Sequence, residues 1–504
     1  MGRIVEIAQG KLEGVFADGV WRFNAIPFAK PPVGALRWRM PEPPQPWAGV
    51  RQAQSVGTIA AQIRTPIEDM LDITDGEKSE DCLYLNIWTP DLDGAKRPVM
   101  LWIHGGAFNT GGGHVLAYRG DPLAARGDVV AITINYRLGA FGFLNLLDAT
   151  DGKLPATGAE GLADQIAALR WVRENVSAFG GDPGNVTIFG ESAGGMSVGA
   201  LLSSPAARGL FHKAIAQSGA AHVGKPRALS AAVARSLISE SGLSSEALLQ
   251  APMEAILKAQ GAIIANPKGF GGLPFMPTID GTILPARPID GVRQGCAAGI
   301  PVLAGSTRDE WNIFTVMRPK LREMDEAKLS TFTAGVTGED CAAGVVAAYA
   351  EGTPFERWNA IMTDHSFTVP AIRLAEAQSA YAPSYAYRFD WRSPFMGGVL
   401  GACHTLEVGF VFGTFDQQNA GQFFGNDAAA RALGDAMMES WIAFARTGNP
   451  SNPHTGAWPQ YESGKRRTMI LGDGPPHAVG APHEERRKAW DAVAEARIGP
   501  QAGL

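Results

Sequence analysis

The chain has 504 residues, with 50 acidic against 44 basic side chains and a formal net charge of −6. Hydrophobic residues make up 45% and charged ones 19%, which excludes a collagen, a coiled coil or wholesale disorder. No run of Lys or Arg forms a nucleic-acid footprint, and no stretch reaches the roughly 18 apolar residues of a membrane helix.

The opening MGRIVEIAQGKLEGV has no apolar run after its early base, so no secretory signal is expected. Residues 11–60 are rich in Pro and Trp and suggest short strands and turns packed over something larger. Six short apolar runs follow as strand candidates: Val99–Ile103, Val129–Ile134, Val186–Phe189, Ala214–Gln217, Val302–Ala304 and Tyr385–Phe389. Between them Leu162, Ile166, Leu169, Val172 and Val176 recur at helical spacing. Leu433, Met437, Trp441 and Phe444 mark a late helix that stops before Gly448-Asn449-Pro450. Strands alternating with helices predict an α/β fold, a mostly parallel sheet covered on both faces. Two stretches, about 222–300 and 312–383, interrupt the alternation with helical patterns such as Leu229, Val233 and Leu237. They are expected as helical insertions above the sheet in one domain spanning 1–504. The four cysteines, Cys82, Cys296, Cys341 and Cys403, form no CxxC pair, so free buried thiols are expected and no structural zinc site.

The sharpest motif is Gly190-Glu191-Ser192-Ala193-Gly194, directly after the strand Val186–Phe189 and before a helix-compatible run. A serine on a tight strand-to-helix turn projects its hydroxyl above the sheet edge, and only small residues two positions either side allow the turn. Upstream, His104-Gly105-Gly106 again ends a strand candidate. A tetrahedral oxyanion needs several N–H groups aimed at one point, and glycines let backbone come close. Gly105, Gly106 and Ala193 are therefore the expected oxyanion donors, with His104 structural. A serine nucleophile needs a base oriented by an acid, in the chain order Ser, acid, His. The strand Val302–Ala304 leads to Asp309 and Glu310, between which spacing does not choose. Seven histidines follow Ser192; position after Tyr385–Phe389 favours His404, with Cys403 beside it read as packing.

These motifs resemble the type B carboxylesterases of the α/β-hydrolase superfamily. The resemblance runs through PPVGALRWRMPEPPQPW, SEDCLYLNIWTP (79–90), WIHGGAF (102–108), INYRLGAFGFL (134–144), FGGDPGNVTIFGESAGG (179–195), GSTRDEWNIF (305–314), GACHTLEVGFVFG (401–413) and WIAFARTGNP (441–450). It looks closest to the bacterial members. It implies Ser192 as nucleophile, Glu310 rather than Asp309 as acid and His404 as base. It also implies two buried ion pairs, Arg37 with Glu80 and Arg137 with Asp164, and a supporting serine at Ser218. Cys82 is the first cysteine, so the bridge that secreted members make from the SEDCLYLN motif cannot form; a cytoplasmic enzyme is expected. The loop Ile63–Ser79 lacks the Trp with which cholinesterases stack a quaternary ammonium, so a choline ester is not expected. The family's Trp after the QSG motif is also missing, and Trp311 stands where Gly usually follows the acid, either shaping the pocket or packing behind the acid.

The expected activity is a serine carboxylesterase acting on small to medium apolar or aromatic esters through an acyl-enzyme, with no metal or organic cofactor. The candidate pocket is Phe108, Leu273, Phe275, Trp311, Phe314 and Phe410. Alternatives with the same fold are an amidase or carbamate hydrolase, a lipase, and a non-catalytic adhesion or scaffold protein. The expected partner is a small-molecule ester, not nucleic acid or membrane, with a monomer or small homo-oligomer as the working form.

Overall fold

The computed structural model describes residues 2–65, 76–267, 269–417 and 420–500. The part of the 63–79 loop from 66 to 75 lies outside the described residues. All six strand candidates form, five of them extended by one to seven residues and Val129–Ile134 shortened by one, as Arg97–Ile103, Val130–Ile134, Gly181–Glu191, Lys213–Gln217, Val302–Thr307 and Ser384–Phe389. They lie side by side in parallel within a 13-stranded sheet. Within the 11–60 stretch, Gly10–Ala17, Val20–Pro27 and Val50–Gln52 are short strands of this sheet rather than packed over it. Gly2–Ile7, Gly10–Ala17 and Val20–Pro27 extend it as an antiparallel edge, joined to the parallel strands through Tyr84–Thr89. The opposite edge continues with Arg467–Leu471 and His477–Gly480.

Side chains alternate across the strands, so each parallel strand feeds two cores. Val99, Leu101 and Ile103 enter one, beneath helices Glu160–Asn175 and Ala193–Ser203. Met100 and Trp102 enter the other, with Leu433, Met437, Trp441 and Phe444 of helix Ala428–Thr447. From Arg97–Ile103 the chain moves outward to Val130–Ile134, then returns to place Gly181–Glu191 on the other side. In open α/β sheets the crevice at such a reversal, beyond the carboxyl ends of the strands, is where ligands bind. Both glycine motifs end strands at this point.

The 222–300 stretch carries helices Arg227–Ser241, Met253–Ala265 and Pro288–Arg293, and the 312–383 stretch carries Glu326–Thr337, Pro354–Thr363 and Val369–Ser379 among others. Two buried guanidinium–carboxylate pairs fasten the N-terminal half. Arg137 grips Asp164 through Nε and Nη2 at 2.8 and 2.7 Å. Arg37 holds Glu80 in the same bidentate way and also donates to the carbonyls of Leu248, Leu249 and Ala251. All four cysteines are free, but only Cys82 and Cys403 are buried; Cys296 is exposed and Cys341 half-buried, a correction to the expectation of buried thiols.

Candidate active site

Ser192 sits between the strand Gly181–Glu191 and the helix Ala193–Ser203 with φ 57° and ψ −123°. A positive φ is uncommon for a residue with a Cβ and stores strain at a site the surroundings must hold. The hold is visible in the backbone. Ser192 N–H donates to the Gln217 carbonyl at 2.9 Å. A Cβ on Gly190 would stand 2.6 Å from the Ile103 carbonyl, and one on Gly194 would fall on the same oxygen. The two motif glycines thus let the turn close against the neighbouring strand.

That neighbouring strand ends in His104-Gly105-Gly106. A Cβ on Gly105 would lie 3.0 Å from Ser192 Cβ, so its backbone abuts the serine directly. Among the described residues, no hydrogen bond is drawn from the N–H groups of Gly105, Gly106 or Ala193 to a turn or loop carbonyl. Of the three, Gly105 abuts Ser192 and Ala193 follows it in the chain. His104 is fully buried, stacked 4.4 Å from Tyr136, with Nδ1 2.8 Å from the Gly105 carbonyl. Burial pushes its pKa down to about 4, which keeps it a neutral strut.

Glu310 and His404 are brought together. Glu310 Oε2 lies 2.5 Å from His404 Nδ1, and Oε1 accepts the Thr307 N–H at 2.8 Å, with the carboxylate fully buried. Asp309, its neighbour, does different work. It exchanges two bonds with Ala402, N–H to carbonyl at 2.9 Å and Oδ2 to N–H at 2.8 Å, and pairs with Arg308. Asp309 thus staples the acid loop to the histidine loop. His404 Nε2 faces Glu191 Oε1 at 3.1 Å. Cys403 is buried, and burial followed by the charge of Glu310 pushes its thiol pKa well up, which suits packing.

Two buried carboxyls beside the site were not singled out by sequence reasoning. Glu191 is the second residue of the glycine–serine motif, and burial, then Glu310, drives its pKa well above the carboxylate range. Glu407, three residues after His404, accepts from Gln217 Nε2 and Ser218 Oγ at 3.4 Å each. Burial, then Glu191 and Glu310, push it up to about 8. The available signal for both was an acid inside an otherwise apolar motif.

Of the expected pocket residues, Phe314 lies 5.2 Å from the His404 ring and Trp311 4.9 Å from Phe314. Leu273 is partly buried against the first core. Phe108 and Phe275 have no exposed surface; Phe108 packs on Phe143. Phe410 is a correction: it is fully buried in the second core among Phe389, Trp391, Phe415 and Phe424. Phe367, not foreseen, is the ring nearest His404, at 4.6 Å. Among the described residues no group of three His, Cys, Asp or Glu is arranged to hold a metal ion, and no helix is long and apolar enough to cross a membrane.

A model of the carboxylesterase family matches residues 2–490. The para-nitrobenzyl esterase of Bacillus subtilis is 41% identical over 93% of this chain and 94% of its own length. Phenmedipham hydrolase of Pseudarthrobacter oxydans is 35% identical over 93% of this chain and 95% of its own. A crystal structure of a Geobacillus stearothermophilus carboxylesterase superposes with a TM-score of 0.87 at 40% identity, covering 97% of this chain and 99% of that one.

Proposed function

Because the chain belongs to the carboxylesterase family, as a carboxylic ester hydrolase of the α/β-hydrolase fold, we propose that Ser192, His404 and Glu310 carry its reaction. His404 Nε2 takes the Ser192 proton as Oγ attacks the ester carbonyl, and the amides of Gly105, Gly106 and Ala193 receive the oxyanion. His404 then protonates the leaving alcohol, and water repeats the cycle on the acyl-enzyme. Glu310 fixes the Nδ1–H tautomer and balances the imidazolium. The cycle as written calls on no metal or organic cofactor.

The observation that carries this reading is the positive-φ serine lying against Gly105 on a strand-to-helix turn. The buried 2.5 Å contact between Glu310 and His404 supports the same assignment. The aromatic rings of Trp311, Phe314 and Phe367 beside His404 support small to medium apolar or aromatic esters. The name of the Bacillus relative, an esterase of a para-nitrobenzyl group, favours the same class. We read residues 1–504 as one domain, with 222–300 and 312–383 as cap-like insertions. Four free thiols support a reducing, cytoplasmic compartment, and the bacterial relatives support a bacterial-type enzyme.

The test is Ser192→Ala. It should abolish both ester hydrolysis and covalent labelling by a fluorophosphonate. Labelling retained at full stoichiometry would refute the nucleophile.

A further inference from the structure

The chain does not end with the family match at residue 490. Residues 491–500 run back across both helical insertions and are bound at several points. Glu495 gathers two guanidinium groups and an imidazole: Arg373 at 2.8 Å, Arg293 at 3.0 Å and His222 Nε2 at 2.5 Å. His222 and Arg293 come from the first insertion and Arg373 from the second. Trp490 Nε1 donates to the Tyr349 hydroxyl at 2.8 Å, which donates in turn to Asp364 at 2.5 Å.

The last anchor is His365. Its Nε2 lies 2.7 Å from the Arg497 carbonyl, and its own carbonyl accepts the Gly499 N–H at 3.0 Å. A carbonyl can only accept, so Nε2 carries the proton, and Nδ1, 3.1 Å from Ser366 Oγ, is the acceptor. His365 lies in a single π turn, Asp364–Thr368, inserted between helices Pro354–Thr363 and Val369–Ser379. Such turns add one residue to a helix and re-aim the side chains beside it. Here the re-aimed side chain is Phe367, 3% exposed, against the His404 ring. The turn is tied to the acid loop as well: Thr368 Oγ1 meets Ser306 Oγ at 3.2 Å, and Thr363 Oγ1 accepts the Trp311 N–H at 3.1 Å.

We propose that His365 is a positioning residue for His404: it locks the π turn to the C-terminal segment 490–500, and the turn holds the Phe367 ring against the imidazole. This rests on His404 being the base. A ring at 4.6 Å excludes water from one face of the imidazole and restricts its rotation beside Glu310.

The experiment compares kcat and KM on a p-nitrophenyl ester for wild type, His365→Leu, His365→Gln, Glu495→Gln and His404→Gln. Gln can keep the donor to the Arg497 carbonyl; Leu cannot. His365→Leu and Glu495→Gln should lower kcat by about ten- to a hundredfold with KM little changed. His365→Gln should stay near wild type in both. A folded His365→Leu with wild-type kcat overturns the proposal. So does an equal loss in His365→Leu and His365→Gln. If His365→Leu does not fold, an unchanged kcat in Glu495→Gln overturns it. An inert His404→Gln beside a normal His365→Leu rejects this inference alone; an active His404→Gln rejects the base assignment and this inference with it.

Discussion

Glu407→Gln should gain stability relative to wild type as pH rises from 5 to 8. In the folded chain the Glu407 carboxyl is fully buried and titrates at about 8, against an ordinary value of 4.5. Burial is the main cause, and the neighbouring Glu191 and Glu310 add to it. The sign follows from proton counting. Between pH 4.5 and 8 the folded state holds a proton that the unfolded state has released, so stability falls as pH rises through that window and levels off above it. The slope from one such group is about 1.4 kcal/mol per pH unit, so the window is worth roughly 5 kcal/mol at most. Gln cannot ionise. Its oxygen can keep accepting from Gln217 and Ser218, and its amide falls where Glu407 Oε2 has no partner among the described residues. The unpaired amide costs the variant a pH-independent amount, so the informative quantity is the slope of the difference. Urea titrations of both proteins at pH 5, 6, 7 and 8, at constant ionic strength, measure it. The variant should gain on wild type at each step. Parallel stability curves, or a difference that shrinks with pH, would show that Glu407 ionises normally in the folded state and refute the reasoning.

Three further outcomes bear on the site and its frame. Gly105→Ala places a Cβ 2.9 Å from the Glu191 carbonyl, so the backbone must shift away from Ser192; kcat should fall by about 10²–10³ with KM nearly constant, and a loss under fivefold would remove Gly105 from the oxyanion site. Glu310→Gln should lower kcat by about 10⁴, the scale for losing the residue that orients a catalytic histidine, whereas Asp309→Asn should stay within about tenfold. The reverse order in steady-state assays would swap their roles. Arg137→Ala leaves the fully buried Asp164 carboxylate unpaired and should cost about 3–5 kcal/mol by chemical denaturation.

The central strands and the serine turn were legible because their signals are local. A run such as Val130–Ile134 is apolar at every position because both faces are covered, and the motif glycines are dictated by backbone contacts a few ångströms away. The outer strands were not legible for the opposite reason. Gly2–Ile7 is exposed at four of six positions, and His477–Gly480 has no buried residue, so neither shows the apolar pattern of a covered strand.

The aromatic wall shows where local reading fails in both directions. Phe410 was expected in the pocket as one of its apolar and aromatic candidates. The short helix Val408–Phe412 turns its ring into the core on the far face of the sheet. Phe367 was not expected, since it lies in a helical stretch 37 positions before His404 with nothing in its neighbours to mark it. Only the π turn, itself fastened to carbonyl and amide groups of residues 497 and 499, brings that ring to the imidazole. A side chain's sequence distance from a motif therefore says little about whether it touches the reacting groups. What decides it is the backbone geometry of the segment that carries it, and here the outermost part of the chain sets that geometry.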